Sequence, residues 1–294
     1  MTVGQLLNQM RLSLTENGIE AARHEAALLI GARCNIPLHR VYSHPELDVT
    51  ARQREQLLYD LQRRINHEPI AYILGQTEFY GLEFSVGPGV LIPRADTERL
   101  VEIALEQIRT HFPPDQMLCI LDTCTGSGCV GISVAVRLAA TGRPFQLDLV
   151  DQDPVALSFA RANVQRHHLD DLARIWQADL WPDPALSGHD RYDVILANPP
   201  YIEKADVPDL MPDVSRFEPW IALDGGADGL DFYRRLTQGA TRRLKKPGLL
   251  LLEHGYNQAQ AVDERCAAAG LTDRLAVYDY GGHPRVTGGW LLEF

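Results

Sequence analysis

Four apolar stretches of strand length, each running into a polar side chain, constrain this chain more than any other feature. Cys119-Ile120-Leu121 ends on Asp122, Gln146 to Val150 on Asp151, Arg174 to Ala178 on Asp179, and Tyr192 to Ala197 on Asn198. Val130 to Ala140 and Pro154 to His167 lie between them with helical composition. Further on, Phe232 to Lys245 reads as a helix, Gly248 to Glu253 as a strand and Ala259 to Ala269 as a helix. Leu275 to Tyr280 and Trp290 to Phe294 read as the last strands. Strands that alternate with helices in this way form a mostly parallel, Rossmann-like sheet with helices on both faces, because a parallel return needs a crossover. Ligands of such sheets bind at the carboxyl ends of the strands, where Asp122, Asp151, Asp179 and Asn198 all fall.

The part before this α/β unit follows a different pattern. Leu6, Leu7, Met10 and Leu14 recur at helical spacing, and Asn17-Gly18 ends that helix. Ala21 to Ala32 is a second helix. Thr50-Ala51-Arg52-Gln53 has the form of a capping box ahead of an apolar face of Leu57, Leu58, Leu61 and Ile65. Thr77 to Val86 reads as a β-hairpin, closed by Gly87-Pro88-Gly89. The expected division is therefore a small helical domain over 1–67, a hairpin connector over 68–90, and an α/β domain over 91–294.

Composition narrows the functional classes. The 294 residues are 45% hydrophobic and 23% charged, as in a globular protein, with a formal net charge of −11. That acidity disfavours direct nucleic-acid binding, which needs clustered Lys and Arg. The densest basic run, Arg242-Arg243-Leu244-Lys245-Lys246, reads as the solvated end of a helix. Five cysteines without Cys-x-x-Cys spacing read as free thiols of a reducing cytoplasm. No metal site, membrane span or targeting segment is expected.

The chemistry concentrates in two loops. Asn198-Pro199-Pro200-Tyr201 ends a strand with two residues that cannot donate to a ladder, which frees the loop carbonyls for a ligand. The Asn amide offers an acceptor and two donors, and Tyr a flat apolar face, so together they suit a planar hydrogen-bonding nitrogen. Upstream, Cys124-Thr125-Gly126-Ser127-Gly128 after Asp122 is a glycine loop opening a helix, which lets backbone approach a ligand closely. It is not a P-loop, since no Lys follows its glycines. Asp151 stands where a carboxylate accepts both ribose hydroxyls. Asp179, with Leu180 beside it, stands where an acceptor meets the adenine amine. This set describes an adenosine-bearing cofactor.

The tetrapeptide and the Asp122 loop resemble those of class I methyltransferases that alkylate planar nitrogens. The chain resembles one branch in particular, the peptide chain release factor glutamine methyltransferases. The similarity runs through Glu68 to Tyr72, Leu91-Ile92-Pro93-Arg94 with Thr97-Glu98, Arg216 to Pro219, Asp228-Gly229-Leu230, Leu250 to Gly255, and Asp279-Tyr280-Gly281 with Arg285-Val286. One position departs: Cys124 stands where that branch usually has Gly. There the loop looks more like sister enzymes that methylate a glutamine of a large-subunit ribosomal protein. Ala95-Asp96-Thr97-Glu98 follows the release-factor pattern.

The resemblance implies transfer of a methyl group from S-adenosylmethionine, leaving S-adenosylhomocysteine, to the glutamine of a Gly-Gly-Gln loop in class-one release factors. It implies a cytoplasmic monomer whose helical domain grips the protein substrate, with Arg94 shaping the pocket. The alternatives are the ribosomal-protein glutamine and, in a different class of substrate, a nucleic-acid adenine. In either case Asn198, Pro199, Pro200 and Tyr201 are expected to hold the accepting nitrogen.

Overall fold

The computed structural model describes residues 1–187 and 191–293; the expected last-strand residue Phe294 lies outside them. The chain forms two compact units, Met1–Gln76 with Met211–Phe217, and Thr77–Leu210 with Glu218–Phe294.

In the first unit, helices span Val3–Glu16, Ala22–Cys34, Leu38–Ser43, Ala51–Ile65 and Ile70–Leu74. The first and fourth of these open with capping boxes, Thr2 with Gln5 and Thr50 with Gln53, each satisfying two backbone donors that have no partner within the helix. Val3, Leu6, Met10 and Leu14 form the buried stripe of the first helix and pack with Leu29, Ile30, Val41 and Leu57. Asp60, fully buried, accepts from Arg33 at 2.5 Å and from Gln56 at 3.1 Å. Met211–Phe217 joins this unit through Asp213, which pairs with Arg64 at 2.9 Å.

The second unit begins with a hairpin of β1 (Gln76–Phe79) and β2 (Leu82–Ser85). Its Tyr80-Gly81 turn has both φ angles positive, the conformation that matches the twist of a two-residue hairpin. The main sheet contains β3 (Leu118–Thr123), β4 (Phe145–Asp151), β5 (Ala173–Gln177), β6 (Tyr192–Ala197), β7 (Leu244–Glu253), β8 (Thr272–Tyr278) and β9 (Pro284–Leu291). The order is β5-β4-β3-β6-β7-β9-β8. β3 to β7 run parallel, and β9 and β8 close one edge antiparallel.

Alternate strand residues face opposite layers. Ile120, Leu149, Val194, Leu196 and Leu251 pack toward the helices Glu98–His111 and Cys129–Ala140. Leu121, Val150, Ile195, Leu250 and Leu252 pack toward Asp231–Arg243 and Ala259–Ala268. With both faces covered, every residue of β6 is buried. The strand order reverses direction between β3 and β6, and at this switch point Thr123 lies beside Ala197. The ends of β3 and β6 therefore open onto one crevice.

Two sequence-based expectations are corrected. The basic run at 242–246 is a solvated helix end only in its first half: Arg242 and Arg243 close the helix, and β7 starts at Leu244. Leu244 pairs with Tyr192, and Lys245 donates to the buried carboxylate of Asp193 at 2.7 Å. The last strand is Pro284–Leu291 rather than Trp290 to Phe294. Gly288-Gly289 suggests a turn, yet these glycines serve close strand pairing: a Cβ on Gly288 would sit 2.0 Å from the Leu250 carbonyl oxygen.

Candidate active site

At the switch point lies a crevice with about 860 Å³ of open space, walled by residues between Gly89 and Thr97, the loop after β3, the ends of β4 and β5, Asn198 and Pro200, and by Pro219, Ile221, Ala222 and Phe232. Of the residues expected from sequence, Arg94, Asp122, Cys124, Thr125, Gly126, Ser127, Asp151, Asp179, Leu180, Asn198 and Pro200 line it; Gly128, Pro199 and Tyr201 lie outside its wall.

The loop after β3 is held from both sides. Asp122 Oδ2 accepts from the Thr125 hydroxyl at 2.6 Å and from the Gly131 N–H at 2.9 Å. Gly131 allows this, since a Cβ there would lie 2.9 Å from that of Asp122. Asp122 is 1% exposed, and burial raises its carboxyl to about 7 against those two hydrogen bonds. The Asp122 carboxylate thus staples the loop. Gly126 and Gly128 take positive φ, and so does Cys124, at 57°. Burial, with Asp151 and Asp122 nearby, pushes the Cys124 thiol well up, so it stays protonated.

At the end of β4, Asp151 accepts from the Gly126 N–H at 2.9 Å and the Asp153 N–H at 3.0 Å. Two backbone donors orient this carboxylate and leave it further acceptor capacity. Asp179 at the rim is largely exposed and pairs with Arg235 at 2.6 Å. Leu180, also at positive φ, accepts from the Thr123 hydroxyl at 2.7 Å through its carbonyl.

An adenosine-bearing cofactor fits this lining. It presents an oriented carboxylate, apolar walls from Val90, Leu91, Ala156 and Phe232, and the Ser127 hydroxyl, which is buried without a hydrogen-bond partner among the described residues. Among the described residues, no group of His, Cys, Asp and Glu is arranged to hold a metal ion.

The tetrapeptide is anchored from behind. Asn198 Nδ2 donates to the Thr97 hydroxyl at 3.3 Å, and that hydroxyl donates to Glu253 Oε1 at 3.1 Å. Asn198 Oδ1 accepts no hydrogen bond from the described residues. Glu253, 1% exposed, is raised to about 7 by burial, opposed by Thr97, Arg285 and the Asn198 amide. The Tyr201 carbonyl accepts from Gln258 at 2.9 Å. Burial, with Glu253 close by, lifts the Tyr201 phenol to about 12. The loop at 219–231 packs against the tetrapeptide backbone. A Cβ on Gly225 would lie 2.7 Å from Tyr201 Cα, and one on Gly229 only 2.4 Å from the Tyr201 carbonyl oxygen. This close approach is the reason for Asp228-Gly229-Leu230.

Arg94 is paired rather than free. It donates to Glu218 Oε1, while Glu218 Oε2 accepts from the Ile92 N–H at 3.0 Å. Glu218 thereby clamps the strap carrying Arg94 beside the crevice. Sequence reasoning named neither Thr97, Glu218 nor Glu253 as a site residue. All three lie in segments that carried the resemblance, and that was the available signal.

Residues 5–75 match the PrmC N-terminal domain, and residues 100–212 the methyltransferase small domain. The chain is 36% identical over 288 residues to the release factor glutamine methyltransferase of Geobacter sulfurreducens, covering 98% of this chain and 96% of that one. It is 37% identical over 287 residues to the release factor glutamine methyltransferase of Moorella thermoacetica, covering 97% of each. Among solved structures, the catalytic domain of hMettl16 aligns over 84% of both chains with a TM-score of 0.55 at 16% identity, a likeness of fold.

Proposed function

We infer the reaction from the premise that this chain belongs to the release factor glutamine methyltransferase family. It transfers a methyl group from S-adenosylmethionine to the side-chain amide nitrogen of the glutamine in the Gly-Gly-Gln loop of class-one release factors. No helix among the described residues is long and apolar enough to cross a membrane. The work belongs in the cytoplasm, where translation ends, and we read the protein as a monomer that does not bind nucleic acid directly. The helical unit serves substrate recognition.

The difficulty of the reaction is electronic. An amide nitrogen is a weak nucleophile because its lone pair is delocalised into the carbonyl. Bound in the crevice, S-adenosylmethionine supplies an electrophilic sulfonium methyl. Asp151 would accept from its ribose hydroxyls and Asp179 and Leu180 would border its adenine, while Asp122 holds the Cys124–Gly128 loop in shape, where Ser127 offers a hydroxyl. Asn198 Oδ1 and the Pro199 carbonyl accept the two hydrogens of the substrate amide, Pro200 walls it, Tyr201 packs on its plane, and Arg94 shapes the entrance. The two acceptors fix the nitrogen in line and favour the positive charge that develops on it as the methyl arrives. The methylated nitrogen is strongly acidic and loses its proton without a dedicated base.

The observation that carries this reading is the polarity of Asn198: its NH₂ end is engaged by Thr97, and its oxygen accepts from none of the described residues. The test is transfer of labelled methyl from S-adenosylmethionine to a class-one release factor, with the ribosomal protein and duplex DNA offered in parallel. Label should appear on the release factor and vanish when its loop glutamine becomes alanine. Asn198→Ala should lower kcat roughly a hundredfold, about 3 kcal/mol, with S-adenosylhomocysteine still bound. Label confined to the ribosomal protein or to DNA would overturn the substrate assignment.

A further inference from the structure

We propose that Glu253 is a positioning residue that, through Thr97, determines which end of the Asn198 amide faces the crevice. The inference rests on the methyl-transfer reading above and goes on to explain how the acceptor geometry is maintained.

Hydrogen-bond polarity links the three side chains. An ionised carboxylate can only accept, so Thr97 must give its single hydroxyl proton to Glu253 Oε1, as the 3.1 Å contact has it. The Thr97 oxygen can then only accept from its other neighbour, so Asn198 must present its NH₂ end, as the 3.3 Å contact has it. The Asn198 oxygen is thereby turned away from Thr97, toward the place where a substrate N–H needs an acceptor.

Protonation of Glu253 removes the constraint. A carboxylic acid can donate to Thr97, which is then free to donate to an Asn198 amide turned end for end. Two NH₂ groups would then face each other across the crevice. Glu253 Oε2 is buried and has no hydrogen-bond partner among the described residues.

The charged and titratable groups around Glu253 come from several elements. Asp96 lies on the turn before Thr97, Arg285 on β9, Tyr201 after β6, Tyr233 on the helix Asp231–Arg243, and Cys129 at the start of the helix after the glycine loop. Arg285 is shared with Asp96 and Asp279 at 3.1 and 3.0 Å. Burial outweighs the pull of Arg285 toward the ionised form and leaves the Glu253 carboxyl at about 7.

The experiment has a kinetic arm and a spectroscopic arm, both on the full chain. In wild type, kcat for release-factor methylation should fall as pH drops through about 7. Glu253→Gln should lose that acid limb, because a carboxamide can present either polarity at any pH. Thr97→Val should lower kcat roughly ten- to a hundredfold, the range for groups that orient a reacting residue, with KM for the release factor and binding of S-adenosylhomocysteine unchanged. Thr97→Ser should restore it. Without substrate, the side-chain amide protons of Asn198, followed by NMR in asparagine-labelled protein, should shift with pH in wild type and stay constant in Glu253→Gln.

A Thr97→Val variant with wild-type kcat would overturn the proposal. So would an acid limb that survives in Glu253→Gln, which would then belong to Asp122, or an Asn198 amide signal indifferent to pH. Wild type that methylates no release factor would overturn the proposed function instead, and the NMR arm would still decide the relay by itself.

Discussion

Cys124 shows how much one backbone angle explains. At φ 57° it occupies the left-handed region, where a residue with a Cβ costs about 1 kcal/mol or more and glycine is at ease. Cys124→Gly should be nearly neutral in thermal unfolding and should retain methyl transfer. The relieved strain is offset by about 0.5–1 kcal/mol of extra chain entropy in the unfolded state. The β-branched Cys124→Val should cost about 1–3 kcal/mol. A large loss of activity in the glycine variant would give the thiol a chemical role that its protonated state argues against. Asp122, Asp151 and Asn198 were legible as residues because strand ends are marked by local pattern. Thr97, Glu218 and Glu253 were not, because their partners lie far along the chain: the Thr97–Glu253 contact spans 156 positions and the Arg94–Glu218 pair 124.

Among the elements, helices were read more reliably than the final strands. The Thr50 capping box was visible because all its parts lie within one turn of chain. The start of β7 and most of β9 were misplaced because their identity depends on neighbours. Leu244 and Lys245 carry helix-compatible side chains, but the pairing of Leu244 with Tyr192 and the buried charge of Asp193 draw them into the sheet. In β9, Gly288 faces Leu251 across an antiparallel pair so close that no side chain fits. Gly288→Val should therefore destabilise the protein by roughly 3 kcal/mol, the upper end for overpacking, because the obstructing atom is a backbone oxygen that cannot rotate away. Denaturant unfolding measures this. A variant as stable as wild type would mean that β7 and β9 are not held in this register.

For the molecule as a whole, two buried carboxyls couple stability to pH. Asp122 and Glu253 are both raised to about 7 in the fold, above their ordinary values of 3.8 and 4.5. The folded state then binds more protons than the unfolded state between roughly pH 4 and 7, so their contribution is fully present at low pH and is lost as pH rises through 7, on the order of 3 kcal/mol per group. Thermal unfolding at pH 6 and pH 8 should show a higher Tm at pH 6, with a smaller gap in Glu253→Gln. An unchanged gap would mean that Glu253 does not titrate in this window. Activity runs the other way if Glu253 must be ionised to orient Asn198, so the enzyme should work best where its site is less stable. By itself the sequence determined the layered α/β architecture, the helical unit before it, the strand-end residues and, through resemblance, the chemistry, because each is written in local periodicity or in short motifs. Only the tertiary structure decided that the ends of β3 and β6 open onto one crevice, that Met211–Phe217 groups with the helical unit, and that Glu253 stands behind Asn198. These depend on contacts between residues far apart in the chain, which strand order and close packing bring together and no local pattern encodes.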